Sequence, residues 1–294
     1  MARRYDTISF LTDYGTVDEF VGVVKSVIRD IAAHVTVIDL THEVPPFDIR
    51  AGSLTLARSI SYVPSGVVLA VVDPAVGTER RCVAIEVSDG GGVLVGPDNG
   101  LLAPAVAMAG GAGRCVVLSN PEYQLEAPGT TFAGRDIFGP AAAHLCNGVD
   151  LYELGEPIEP ELLLPGVVPL PREENGVIVA EVLWVDRFGN CQLNVGPDEV
   201  AAMGDAIRIT VGETAGAPMN RVARRSSNFF SLGTGALGLV TDSYGMLALA
   251  FDRRSAAQEL EIGPNDQVLL QAVPEGSGSD GGPVTSPVNL RINR

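Results

Sequence analysis

Apolar positions in the first half of the chain recur in two rhythms. The continuous run Val67 to Val72 suits a strand buried on both faces of a parallel sheet, and Ile8 to Leu11 and Val35 to Leu40 read as two more strands. Between them, Phe20, Val21, Val24, Val27, Ile28 and Ile31 recur at helical spacing and predict one buried stripe, with Thr16 and Glu19 as a capping box ahead of it. Asp48 is placed to cap a second helix from about Ile49 to Ile60. Cys82–Val87, Val93–Gly96 and Arg114–Ser119 read as further strands, and Leu101 to Met108 and Ile137 to Cys146 as helices. This alternation predicts a doubly wound α/β domain. Beyond Gly176 the rhythm shortens, and no helix is expected. Val177–Val185, Cys191–Val195, Ala206–Val211, Ala236–Val240, Met246–Phe251 and Gln267–Val273 read as strands of a small barrel or sandwich. The fold class is therefore α/β: an N-terminal doubly wound domain over residues 1–164, a Pro-rich linker at 165–175, and a smaller C-terminal all-β barrel over 176–273. The Gly/Ser/Pro-rich residues 274–294 are expected to be a disordered tail.

Composition narrows the function classes. With 46% hydrophobic residues among 294, a sizeable core is expected. Twenty basic against 36 acidic residues give a net charge of −16, which argues against nucleic acid as a partner. The four cysteines are widely spaced, so free thiols in a reducing compartment are expected and no zinc or disulfide framework follows. No signal-peptide core and no membrane-length apolar run is present, so the expected location is the cytoplasm.

Candidate chemistry collects at strand ends. Asp13, His42 and Asp73 each follow a predicted strand and would share one edge of the sheet, where ligands of open α/β sheets bind. Asp73 stands seven residues before Arg80 across a tight turn, which reads equally as a reactive pair or as a surface ion pair holding the turn. Asp18 reads as a loop ligand or as charge favoured by the helix dipole. A lone His such as His42 reads first as structural, and Phe47 as core or as a stacking surface. Asp186-Arg187-Phe188-Gly189-Asn190 and Asp242-Ser243-Tyr244-Gly245 are polar corners that hairpin chemistry alone can explain. Phosphate-cradling loops, a G-x-S-x-G elbow and a His-rich metal constellation are all missing from the sequence.

Taken together, FLTDYGTVDEFVG, DLTHEVPPFDI, VVDPAVGTERR, GPDNGLL, TFAGRDIFGPAAA, VDRFGNCQLN and DSYGMLALA resemble the S-adenosylmethionine (SAM) hydroxide adenosyltransferases, relatives of the SAM-dependent fluorinase and chlorinase. The resemblance spans roughly residues 7 to 270 in collinear order. It implies hydrolysis of SAM to adenosine and L-methionine, with no metal and no cofactor beyond SAM as substrate. It further implies a homotrimer that binds SAM between the N-terminal domain of one subunit and the C-terminal domain of its neighbour. By motif position, Asp73 and Arg80 would activate the water, Asp13 would hold the ribose hydroxyls and Phe47 would pack on the ligand. Asp18, Asp186 and Ser243 would bind the methionine amine and carboxylate, and Phe188 and Asn190 the adenine, helped by main chain near Phe251. Pairing with Arg80 is expected to lower the Asp73 pKa, which favours orientation of water over full base catalysis.

Two positions depart from the family pattern. Ala133 stands where the hydrolases carry His, and Asp252 where Asn is common. A carboxylate at Asp73 disfavours halide transfer. A halide-dependent adenosyltransferase and a non-catalytic SAM- or adenosine-binding protein remain the alternatives, the latter because of Ala133. His42 is one group that could stand in for the missing His.

Overall fold

A computed structural model describes residues 5–88, 90–212 and 218–273. The expected tail at 274–294 lies outside them. The chain separates into two compact units, Met1–Pro169 and Leu170–Arg294.

The first unit is a seven-stranded mixed sheet with helices on both faces. Its elements are β1 (Thr7–Thr12), α1 (Phe20–Ile31), β2 (Thr36–Thr41), α2 (Ile49–Ile60), β3 (Val67–Val71), β4 (Cys82–Val87), β5 (Gly92–Pro97), α3 (Ala103–Met108), β6 (Ala112–Leu118), α4 (Gly139–Cys146) and β7 (Gly155–Pro157). The strand order is β2-β1-β3-β5-β4-β6-β7. The continuous apolar run from Val67 is explained by this arrangement, because β3 is buried along its whole length between two cores. Alternate residues serve each face: Leu69 and Val71 pack with Val24, Ile28 and Phe138, while Val68 and Ala70 pack with Leu56 and Leu101.

Register fixes the ligand edge. β1 and β2 are parallel, with Leu11 opposite Thr41, and β1 and β3 are parallel, with Thr12 opposite Val71. The residues that follow, Asp13, His42 and Asp73, therefore leave the sheet at the same level. β3 and β4 follow one another in sequence but are not neighbours, since β5 pairs with both. The loop from Val72 to Arg81 must therefore arch over the end of β5, crossing two strand spacings of about 4.8 Å each. That arch carries Asp73 and Arg80.

Three local expectations are corrected. The capping box fails: Glu19 is the N-cap of α1 without a side-chain bond, and the Thr16 hydroxyl instead donates to Glu43. Asp18 sits before the helix rather than in its first turn. Phe20 leaves the buried stripe and is 39% exposed, turned toward Tyr14 and Phe132. The Asp48 cap forms as expected, accepting from Ala51 N–H at 2.8 Å.

The second unit comprises β8 (Arg172–Glu174), β9 (Val177–Val185), β10 (Cys191–Leu193), β11 (Ala206–Val211), β12 (Met219–Ser226), β13 (Gly238–Thr241), β14 (Leu247–Ala250), α5 (Ala256–Leu260) and β15 (Gln267–Ala272). The order β10-β14-β13-β12-β11-β15-β9, closed by a β9–β10 pairing, makes a seven-stranded barrel with β8 added outside β9. Ile207, Ile209, Leu249, Val268 and Leu270 fill its interior. β12 was not expected, because its sequence MNRVARRS hides the alternation: only the small Ala223 is buried, between arginines. The short α5 was also unexpected; Ser255 caps it by accepting from Gln258 N–H at 3.1 Å. Among the described residues, no helix is long and apolar enough to cross a membrane.

Leu69 is fully buried on the middle strand of the first unit. Leu69→Ala is expected to cost about 2–5 kcal/mol, read as a lower denaturation midpoint at unchanged slope.

Candidate active site

At the end of β1, the Thr12 hydroxyl accepts from Tyr14 N–H at 3.1 Å and is hydrogen-bonded to His42 Nδ1 at 2.9 Å. Gly15 N–H donates to His42 C=O at 2.7 Å, tying the β1 loop to the β2 loop. Asp13 then reaches across the same two loops, and its Oδ2 accepts from Phe47 N–H at 2.9 Å. Phe47 has φ +67° after two prolines, a left-handed conformation costly for a bulky side chain, and its ring is 73% exposed. The backbone thus presents the ring at the surface, deciding against core for Phe47.

Asp73 and Arg80 meet in a bidentate pair. Arg80 Nε donates to Asp73 Oδ1 at 3.0 Å and Nη2 donates to Oδ2. Nη1 donates to Cys82 Sγ at 2.9 Å, and the guanidinium carbon stands 5.4 Å from the Phe138 ring centroid. The two side chains are 5% and 8% exposed, so this is a buried pair and not a surface clasp. Burial pushes the Asp73 carboxyl above its ordinary value, with Asp13 adding to it; the Arg80 guanidinium and the Ala75 N–H pull back without prevailing. The expected lowering by Arg80 is therefore overturned by desolvation. Burial likewise raises the Cys82 thiol.

Asp13, Phe47 and Asp73 line one cavity of about 260 Å³, together with Tyr14, Phe20 and Ala133. Arg80 stands behind Asp73 on the wall of a neighbouring cavity, which also includes Ala133. Two expectations are refined here. His42 does not reach the cavity: it is buried, with Nδ1 on Thr12 and Nε2 at 3.1 Å from Asp39 but out of line for a hydrogen bond. Asp18 is exposed and lines neither cavity.

In the second unit, Phe188, Asn190 and Phe251 line a pocket of about 420 Å³ with Phe229 and Arg254. Asp186 builds this wall. Its Oδ1 accepts from the N–H groups of Phe188 at 2.9 Å and Asn190 at 2.8 Å, and its Oδ2 accepts from Asn190 Nδ2 at 2.8 Å. Phe188 is 78% exposed. Asp242 plays the same part in its own corner, holding Tyr244 and Met246 N–H and leaving Ser243 exposed.

Tyr14, Phe132 and Phe229 were not singled out from sequence. Tyr14 sits beside Asp13 in the same strand-end loop, a signal available but unread. Phe132 and Phe229 carry no local signal, since one neighbours a π-helical turn (Gly134–Phe138) and the other precedes a single 3-10 turn (Phe230–Leu232).

Residues 8–155 match the family described as SAM hydroxide adenosyltransferase N-terminal domain, and residues 180–269 match the corresponding C-terminal domain. The chain is 40% identical over 265 residues to the (R)-S-adenosyl-L-methionine hydrolase of Salinispora arenicola, covering 90% of this chain and 97% of that one. It is 26% identical over 221 residues to a fluorinase of an Actinoplanes species, covering 67% and 74%. A crystal structure of an uncharacterised conserved protein from Thermotoga maritima superposes with a TM-score of 0.81 at 35% identity, covering 90% of this chain and 99% of that one.

Phe47→Gly is expected to leave thermal stability within about 1 kcal/mol of the parent, because an exposed ring is lost while a left-handed φ is relieved. Calorimetry checks this.

Proposed function

This chain belongs to the SAM hydroxide adenosyltransferase family, and on that premise we propose that it is an S-adenosyl-L-methionine hydrolase, forming adenosine and L-methionine with Asp73 and Arg80 activating the attacking water. The observation that carries the reading is a buried, arginine-paired carboxylate on the wall of a cavity, in a chain 40% identical to a named hydrolase. That relative's name specifies the (R) sulfonium epimer, and the same epimer is proposed as the preferred substrate here.

The chemistry asks little of an acid. Attack at the ribose C5′ breaks the bond to a sulfonium, whose electron pair returns to sulfur as a neutral thioether. The water must lose a proton and lie in line. Asp73 accepts that proton as the new C–O bond forms, and its raised pKa makes it a better base than an ordinary carboxylate. Arg80 draws the Asp73 pKa back down and locks its orientation. A halide would meet the Asp73 charge inside the cavity, which disfavours halide transfer.

For binding, Asp13 has one oxygen on Phe47 N–H and the other available for the ribose hydroxyls, and Phe47 packs on the ligand. Phe188 and Asn190 take the adenine, with the main chain near Phe251. Asp18, Asp186 and Ser243 take the methionine amine and carboxylate; Asp186 Oδ2, with one hydrogen bond, retains a lone pair for an ammonium. The reaction needs no dissociable cofactor and no metal. A cytoplasmic homotrimer that completes each site across a subunit boundary is part of the proposal, and sedimentation tests the assembly.

In halide-free, oxygen-18-labelled water, the protein is expected to convert the (R) epimer to labelled adenosine and methionine, with Asp73→Asn slower by about 10²-fold or more. Intact SAM recovered from the protein would instead identify a binding protein. Arg80→Met removes the group that lowers the Asp73 pKa, so the acid limb of the rate profile is expected to move to higher pH. Activity is then lost first at low pH and recovered as pH rises; an unshifted limb would show that Asp73 is not the titrating group.

A further inference from the structure

The Asp73 cavity has a second polar group that the reading above does not use. Ala133 makes its neighbouring wall apolar, and none of the three histidines of the chain lines it. Tyr14 does line it. The Tyr14 ring is wedged between aromatic neighbours, 5.8 Å from Phe20 and 5.8 Å from Phe132, at interplanar angles of 54° and 77°. Its backbone N–H is tied to Thr12. Ring and backbone are therefore fixed, and the hydroxyl position is set.

The place where that hydroxyl ends is defined by an absence of side chain. A Cβ added at Gly134 would stand 2.2 Å from Tyr14 Oη, so only glycine lets the phenol lie there, beside Ala133. Among the described residues the hydroxyl takes part in no hydrogen bond. The residue as a whole is half-buried and lines the cavity. A fixed and unpartnered hydroxyl in the cavity of a buried carboxylate has both a donor and an acceptor to offer.

We infer that Tyr14 is a further catalytic residue of the SAM hydrolase, its hydroxyl holding the attacking water against Asp73 in the place that Ala133 leaves without a polar side chain. The inference rests on the hydrolase reading above. One O–H of the water points to Asp73, which takes the proton; the other points to the Tyr14 oxygen, which accepts a hydrogen bond and keeps its own proton throughout. One of the two lone pairs of the water faces C5′ and forms the C–O bond as the electron pair of the C5′–S bond returns to sulfur. Tyr14 is suited to this passive part, because burial and then the charges of Asp13 and Asp73 raise its pKa, against Arg80, and keep it neutral. It orients; it does not act as a base.

The test is steady-state hydrolysis of SAM by the full-length parent, Tyr14→Phe, Gly134→Ala and the double variant. Tyr14→Phe is expected to lower kcat by about tenfold or more with KM within about twofold, and with thermal stability retained. Gly134→Ala displaces the hydroxyl and is expected to lower kcat similarly in the parent, but by much less in the Tyr14→Phe background, where no hydroxyl remains to displace. Unchanged kcat in Tyr14→Phe, or a raised KM at unchanged kcat, would overturn the inference while leaving the hydrolase reading intact. A parent protein that turns over no SAM would overturn both, and is seen before any variant is compared.

Discussion

A carboxylate held away from water at the end of a buried strand is the constraint around which the first unit is arranged. Removing an unpaired charge from water costs several kcal/mol, and a single-sided repair leaves most of that cost standing. Asp73 is repaired from several sides: two donors of Arg80, the Ala75 N–H, and an aromatic ring under the guanidinium. Even so, burial wins, and the carboxyl stays above its ordinary pKa. In the proposed hydrolysis that residual imbalance is useful, since a fully compensated carboxylate would have little appetite for a proton. Arg80 is in turn steadied by Cys82, so the carboxylate, its counter-ion and the support of the counter-ion all lie on one short stretch.

Glycine and alanine shape the space that this pair faces. At Gly134 a Cβ would collide with the Tyr14 hydroxyl, and at Gly77, with φ +80°, one would stand 2.9 Å from the Thr130 hydroxyl. Gly77 belongs to the loop after β3, and Gly134 opens the π-helical turn that precedes α4. The second unit uses a different device. There Asp186 and Asp242 fold their own corners by accepting backbone N–H groups, which frees neighbouring side chains such as Phe188 and Ser243 to face outward.

Much of this was legible in the sequence, for identifiable reasons. Strands buried on both faces leave continuous apolar runs, and an N-cap such as Asp48 acts within its own turn, so both could be read locally. Asp13 and Asp73 could be placed on one edge because parallel strands share their direction. What escaped reading depended on distant partners. β12 presents arginines outward and one alanine inward, a pattern that only barrel closure explains. Phe20 looked like core until Tyr14 and Phe132 drew it to the cavity. The sign of the Asp73 pKa shift needed the depth of burial, which a sequence does not carry, and the role of Tyr14 needed its distance from a glycine 120 positions away.

The placement of β5 between β3 and β4 also sets an order of events during synthesis. As the chain leaves the ribosome, β3 emerges with one edge meant for β1 and the other for a strand that does not yet exist. β4 arrives next and cannot fill the gap, because its partner is β5 as well. At about 5–20 residues per second, the open edge of β3 waits a second or more for β5. During that interval a fully apolar strand offers unpaired backbone groups to any passing chain. The charged arch from Asp73 to Arg81 follows directly behind that strand, in the position where charge flanking an apolar segment disfavours misassembly.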